Sequence, residues 1–182
     1  MKNLLKLSSD LFYKYHASEL NKYKNINSKT LHIVSKNIIY QDLGVNEDVL
    51  YLDAEDHFEN SFVSIENNSY DLIIVTDIFD ISNDVMSLIL KLEKICNENG
   101  KIVFSNLNSL WYPILKVFEL LRLKKQSSKR NKTSPKKLLN VAKGANLELV
   151  NIYSRLYFPF KFLGLGILIN QLLEILFFKF KL

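Results

Sequence analysis

The stretch Tyr70 to Asp77, YDLIIVTD, limits what this chain can fold into more than any other. Leu72 to Val75 are apolar without a polar residue at alternate positions, and a strand with no polar side is buried on both faces. That condition is met in a parallel sheet with helices on either side, so one run of eight residues already points to an α/β fold. Two further runs, Thr30 to Val34 and Val49 to Leu52, are short, rich in Val, Ile and Leu, and flanked by polar residues; they read as strands of the same sheet. Lys101 to Ser105, KIVFS, reads as another.

Between Asp77 and Lys101 the apolar period changes. Ser82, Asn83 and Asp84 offer caps to a helix with Val85, Leu88, Leu92 and Ile95 on one face, closing near Gly100, and this places Cys96 on a helix. Strand, helix, strand at this spacing makes a crossover between parallel neighbours, so the expected architecture is doubly wound. Residues 3–24 carry Leu4, Leu7, Leu11, Tyr15 and Leu20 at helical spacing and predict an amphipathic helix over a sheet edge. A helix from Tyr112 to Leu123 has Pro113 in its first turn, and SPKKLLNVAK reads as a helix capped by Ser134 with Pro135 at its first position, closing near Gly144. Leu147 to Ile152 is expected to form a last strand.

With 182 residues, 48% of them apolar, the chain suffices for one core. Residues 1–157 are read as the α/β domain and 158–182 as an apolar C-terminal helical segment. A lone cysteine cannot form an internal disulfide, and the N-terminus has no apolar run of secretion-signal length, so a cytoplasmic protein is expected. His16, His32 and His57 have no spacing that suggests a metal site or a catalytic triad.

From YDLIIVTD through NGKIVFSNLNSLWYPILKVFELLRLK to NKTSPKKLLNVAKGANLELVNIYSRLYFP, the chain resembles the class I S-adenosylmethionine-dependent methyltransferases. It is similar in particular to a bacterial group with an acidic residue closing the fourth strand, an N-x-L-W-x-P step after the fifth, and an Asn-x-x-Ser helix cap. Asp77, Asn108 to Pro113, and Asn131 to Ser134 match these features. The resemblance implies a Rossmann-like fold, shortened in its N-terminal half, with S-adenosylmethionine across the carboxyl ends of the strands.

In the family the first strand ends in a glycine-rich turn, where backbone amides approach the cofactor. The corresponding stretch here, LHIVSKNIIY, has no glycine. By the resemblance, Ser35 stands at that turn, Asp53 answers to the ribose-binding acidic residue after the second strand, and Asp77 lies beside cofactor or acceptor as the candidate base. The segment DAED also fits a position after the family's third strand, in which case the second strand and its helix would be missing. Asn108, Trp111 and Tyr112 are candidates for the acceptor pocket. Each candidate also has an ordinary reading: a strand-end turn or cap for Asp77, a surface turn residue for Ser35, a solvated carboxylate for Asp53, and core-edge packing for Trp111 and Tyr112.

Charge is distributed unevenly. Residues 1–113 hold 10 Lys and Arg against 16 Asp and Glu, and residues 114–182 hold the remaining 14 against 3. Lys124, Lys125, Lys129, Arg130, Lys132, Lys136 and Lys137 form the densest cluster, with no acidic residue among them. Such a run is a solvated loop or a seat for anions, an anionic membrane included, and no nucleic-acid-binding motif accompanies it.

The C-terminal segment has a charge-free run only from Phe162 to Leu173, too short to span a bilayer. Read as a helix, it sets Asn170, Gln171, Glu174 and Lys181 opposite Leu168, Leu172, Ile175, Phe178 and Leu182. Four phenylalanines after Phe160 require burial in lipid, core or partner. Two functions follow as expectations. One is a methyltransferase acting on a lipid-linked or glycan-pathway acceptor at the cytoplasmic membrane face. The other is a non-catalytic binding or scaffold protein that keeps the fold without the cofactor loop.

Overall fold

The computed structural model describes residues 16–25, 27–35, 47–52, 61, 62, 64–79, 82, 84–106, 113, 116, 117, 120, 134–152 and 172. The chain divides into two compact units: Met1–Tyr23 with Tyr40–Leu43 and Asn151–Leu182, and Lys24–Ile39 with Gly44–Val150.

The second unit contains a four-stranded sheet of β1 (Thr30–Ser35), β2 (Glu47–Leu52), β3 (Tyr70–Thr76) and β4 (Cys96–Ser105). Every neighbouring pair is parallel, and the order across the sheet is β2-β1-β3-β4. The expected doubly wound α/β class is what the chain adopts. All six residues of β1 are buried, and so is all of β3 except Asp71. Leu31 and Ile33 with Ile73 and Val75 join the main core, and the alternating set His32, Val34, Leu72, Ile74 and Thr76 is buried as well.

The helix α1 (Val85–Ile95) links β3 to β4 and buries Val85, Leu88, Ile89, Leu92 and Ile95 in that core. Each of these contributes on the order of 1.5–3 kcal/mol, an upper figure for a collapsed unfolded chain. Asp84 caps its start, the side-chain Oδ1 accepting the Ser87 amide at 2.9 Å. The helix α2 (Pro135–Gly144) contacts α1. Ser134 caps it with Oγ accepting from the Lys137 amide at 3.2 Å, and Pro135 occupies the first turn as the sequence implies. It closes through Asn146, whose φ of 56° lets the Leu147 amide reach back to the Ala142 carbonyl at 3.0 Å. Pro113, Lys116, Val117 and Leu120 are helical, within the span expected for a helix there.

Two boundaries differ from the sequence reading. The helix expected to run to Gly100 stops at Ile95, because the Asn68 and Ser69 amides take the Lys94 and Ile95 carbonyls at 3.0 Å each. Cys96 is therefore the first residue of β4, not helical, and β4 begins five residues before KIVFS. Between the pairs Tyr70–Cys96 and Leu72–Lys101 the register shifts, leaving Asn97 to Gly100 as a bulge. Asp71 fastens this bulge: it accepts from Asn97 Nδ2 at 2.5 Å and from the Lys29 amide at 2.9 Å. These bonds, the Lys29 amide foremost, hold its carboxyl below the ordinary carboxylate range.

The second correction concerns Leu147 to Ile152, which joins no strand. Leu149, Val150 and Ile152 are exposed, so the alternation read as strand pairing has no ladder behind it. Of residues 153–182 only Leu172 is described, helical and exposed; the C-terminal helix as a whole lies outside the described residues.

In the first unit, residues 16–21 are helical and Leu20 is buried. Burial lowers His16 from 6.5 to about 4, against the opposing pull of Glu19.

Two predictions follow from this packing. A Cβ on Gly100 would lie 2.5 Å from Cys96 Sγ, 2.9 Å from the Asn97 carbonyl oxygen and 3.1 Å from that of Asp71. Gly100→Ala is expected to cost about 1–3 kcal/mol, read as a melting temperature lowered by about 2–4 °C per kcal/mol. His16 is neutral in the fold and takes a proton more readily once unfolded. Stability is therefore full above about pH 6.5 and declines as pH falls toward about 4. Urea titrations across that window should show a decline that is smaller in His16→Gln.

Candidate functional site

Strand order reverses between β1 and β3: the chain leaves β1 for β2 on one side, then returns to lay β3 and β4 on the other. In open α/β sheets ligands bind at the carboxyl ends of the strands beside such a reversal. The register brings those ends level, with Ser35 opposite Leu52, Val34 opposite Thr76, and Thr76 opposite Ser105. Ser35, Thr76, Asp77, Ser105 and Asn106 thus gather on one edge from strands far apart in sequence.

Asp77 stands at the centre of that edge with φ 56°, in the left-handed region that Asp tolerates better than most residues. Its amide donates to the Ser105 carbonyl at 3.1 Å. Immediately beyond it the chain dives inward: Ile78 and Phe79 are fully buried, and Phe79 meets Phe104 edge to face with ring centroids 5.0 Å apart. The reversed backbone at Asp77 lets one residue remain partly exposed at the lip while the next two seal the core.

Ser35, at the family's glycine position, is buried at 4% exposure, so it is not the surface turn residue of the ordinary reading. Its Cβ occupies space that a glycine would leave to a ligand. The connection from β1 to β2, residues 36–46, is also shorter than the dozen or more residues of a usual parallel crossover. VLYL lies in β2, which pairs directly with β1. Asp53 lies outside the described residues, as do Asn108, Trp111 and Tyr112.

Sequence spacing missed one polar pair. His32 Nε2 and Thr76 Oγ1 lie 3.0 Å apart, both residues fully buried, joining the middle of β1 to the end of β3 directly before Asp77. The two are 44 positions apart, and only the parallel register makes them diagonal neighbours. At the opposite edge, the Tyr70 hydroxyl donates to Asp48 Oδ2 at 2.8 Å, and burial first, then Asp48, pushes the phenol up to about 12. Burial, then Asp71 and Glu93, raises Cys96 to about 11, which makes it an inert core thiol.

The polar groups at the reversal suit a ligand bearing amino and hydroxyl groups. The Asp77 carboxylate accepts from either, and the Ser35 and Ser105 hydroxyls and the Asn106 amide bond with both. S-adenosylmethionine has such groups, so the residue types at this edge are compatible with it.

No family model matches this sequence. No curated protein is detectably similar. A solved structure shares the fold. An S-adenosylmethionine-dependent methyltransferase from Thermotoga maritima, a possible histamine N-methyltransferase, superposes with a TM-score of 0.56 at 12% identity, covering 79% of this chain and 74% of its own. A candidate sarcosine dimethylglycine methyltransferase from Galdieria sulphuraria gives 0.46 at 14%, over 79% of this chain and 64% of its own. The chain shares the Rossmann-like α/β fold of the Thermotoga maritima structure.

The buried pair yields a prediction. Thr76→Val keeps the shape and removes the hydroxyl facing His32, at a cost of about 1–3 kcal/mol. Urea unfolding should show a lower midpoint with an unchanged slope.

Proposed function

We propose that this protein binds S-adenosylmethionine at the β1/β3 reversal and transfers its methyl group to an oxygen or nitrogen of a lipid-linked or glycan-pathway acceptor at the cytoplasmic membrane face. The observation that carries the reading is Asp77, held in a left-handed conformation at the lip of a parallel sheet, level with Ser35 and Ser105. Strained positions of this kind cluster at functional sites. When bound, the cofactor supplies an electrophilic methyl group.

The chain's own contribution is positioning and proton handling. Asp77 takes the proton from the acceptor's hydroxyl or amine as that atom becomes nucleophilic, and the edge around Ser35 and Asn106 orients the two reactants. Asn108, Trp111 and Tyr112 follow directly in sequence and are proposed to wall the acceptor side; Asp53, after β2, is proposed to hold ribose hydroxyls. The basic run 124–137 and the apolar segment 158–182 are proposed to bring the protein to the anionic bilayer.

A second reading rests on Ser35. A buried side chain where the family has glycine favours a scaffold that has given up the cofactor. Calorimetry with S-adenosylmethionine and its demethylated product separates the two. The enzyme reading expects heat from both ligands and tighter binding in Ser35→Gly. It also expects Asp77→Asn to bind the cofactor yet lose about 10²–10⁴-fold in transfer. Absence of heat and of any thermal shift at high ligand concentration, in protein that unfolds cooperatively, assigns the scaffold role.

A further inference from the structure

We infer that the open groove between α1 and α2 is the surface that receives an anionic phospholipid bilayer. The inference rests on the membrane-face reading above and specifies which part of the molecule meets the membrane. The groove has a volume of about 570 Å³ and is lined by Met86 from α1 and by Ser134, Lys136, Lys137, Asn140, Val141 and Gly144 from the α2 segment. Its lining holds two lysines and no carboxylate.

The floor is apolar because α2 approaches α1 closely at Gly144, where a Cβ would come within 3.4 Å of Met86 Cε. Met86 and Leu90, four positions apart and so on one side of α1, are 37% and 39% exposed. Apolar side chains beside solvent-facing lysines form the surface that lies in a bilayer interface, methylenes toward acyl chains and ammonium groups at the phosphates.

Charge complementarity selects the occupant. Lys136 and Lys137 are exposed and end the seven-cation run that begins at Lys124, which contains no Asp or Glu. Lys/Arg clusters of this size, where they lie on an amphipathic helix, read as sites for anionic lipid. Asp84, the cap before α1, has its Oδ1 engaged by the Ser87 amide, and the one carboxylate within α1, Glu93, lies two turns beyond Met86 between Lys91 and Lys94. An open apolar floor under two lysines fits a broad lipid surface better than a small free anion, which would leave Met86 and Leu90 in water.

The test is sedimentation of the full chain with vesicles of phosphatidylcholine alone and of phosphatidylcholine with phosphatidylglycerol in equal parts, at low and high salt. Binding is expected to the mixed vesicles only and to fall with salt. The double variant Lys136→Ala/Lys137→Ala should weaken it by about thirtyfold, at roughly one kcal/mol per lysine. Met86→Ser should weaken it further, while Lys22→Ala/Lys101→Ala, the same charge removed elsewhere, should not. Equal loss in both double variants, or none in Lys136→Ala/Lys137→Ala, overturns the assignment. So does full displacement by inorganic phosphate, or capture of a glutamate-rich peptide with no vesicle binding. Cofactor calorimetry on the unmodified full chain, set beside its vesicle sedimentation, separates the two readings. Cofactor heat without vesicle binding removes the membrane seat and leaves the enzyme; vesicle binding without cofactor heat removes the enzyme and leaves the seat.

Discussion

Burial of β1 and β3 on both faces is the constraint on which the rest of this structure depends. A strand without a wet side must satisfy its amides and carbonyls entirely through neighbours in the ladder, since water cannot reach them. With β1 and β3 parallel and central, β2 and β4 are obliged to continue the sheet outward, and the chain must cross over a face between strands. The apolar side of α1 is the cover this demands. The order β2-β1-β3-β4, and hence a reversal at the central pair, places the polar strand ends together.

That arrangement explains why polar residues at the carboxyl edge sit so close to a dry interior. Thr76 and His32 bond to each other in full burial, Asp77 turns the chain, and Ile78 and Phe79 return it to the core within two residues. The carboxylate at this boundary is partly exposed, while the residues on either side of it are buried. The opposite edge has a different character. There Asp71, Asn97 and Lys29 hold the β4 bulge to the start of β1, and Tyr70 bonds Asp48. These contacts are structural, and Cys96 beside them is a core thiol that burial keeps protonated.

The departure at Ser35 has a physical meaning whichever function holds. A glycine at the first strand's end gives backbone amides access to a ligand, and a buried serine there replaces empty space with a methylene and a hydroxyl. The opposite side of the reversal keeps a carboxylate in the left-handed conformation that turns the chain from β3 back into the core.

The sequence by itself determined the fold class. Four strands, the helix between β3 and β4, the Ser134 cap with Pro135 behind it, and Asp84 as a cap were all legible, because periodicity and capping are local properties of the chain. Helix and strand ends were less so. Ile95 ends α1 because amides from Asn68 and Ser69 take its last carbonyls, and no local pattern announces a partner some 26 residues upstream. Residues 147–152 show the converse: a strand-like pattern is only permission, and pairing requires a free ladder edge in reach.

Tertiary structure alone decided that His32 faces Thr76, that VLYL lies directly beside β1, and that Ser35, Asp77 and Ser105 share an edge. It also brought Met86 under Lys136 and Lys137. Each of these joins residues separated by tens of positions, through register or helix packing. Such distances are set by the whole sheet and core, and no stretch of the chain read alone contains them.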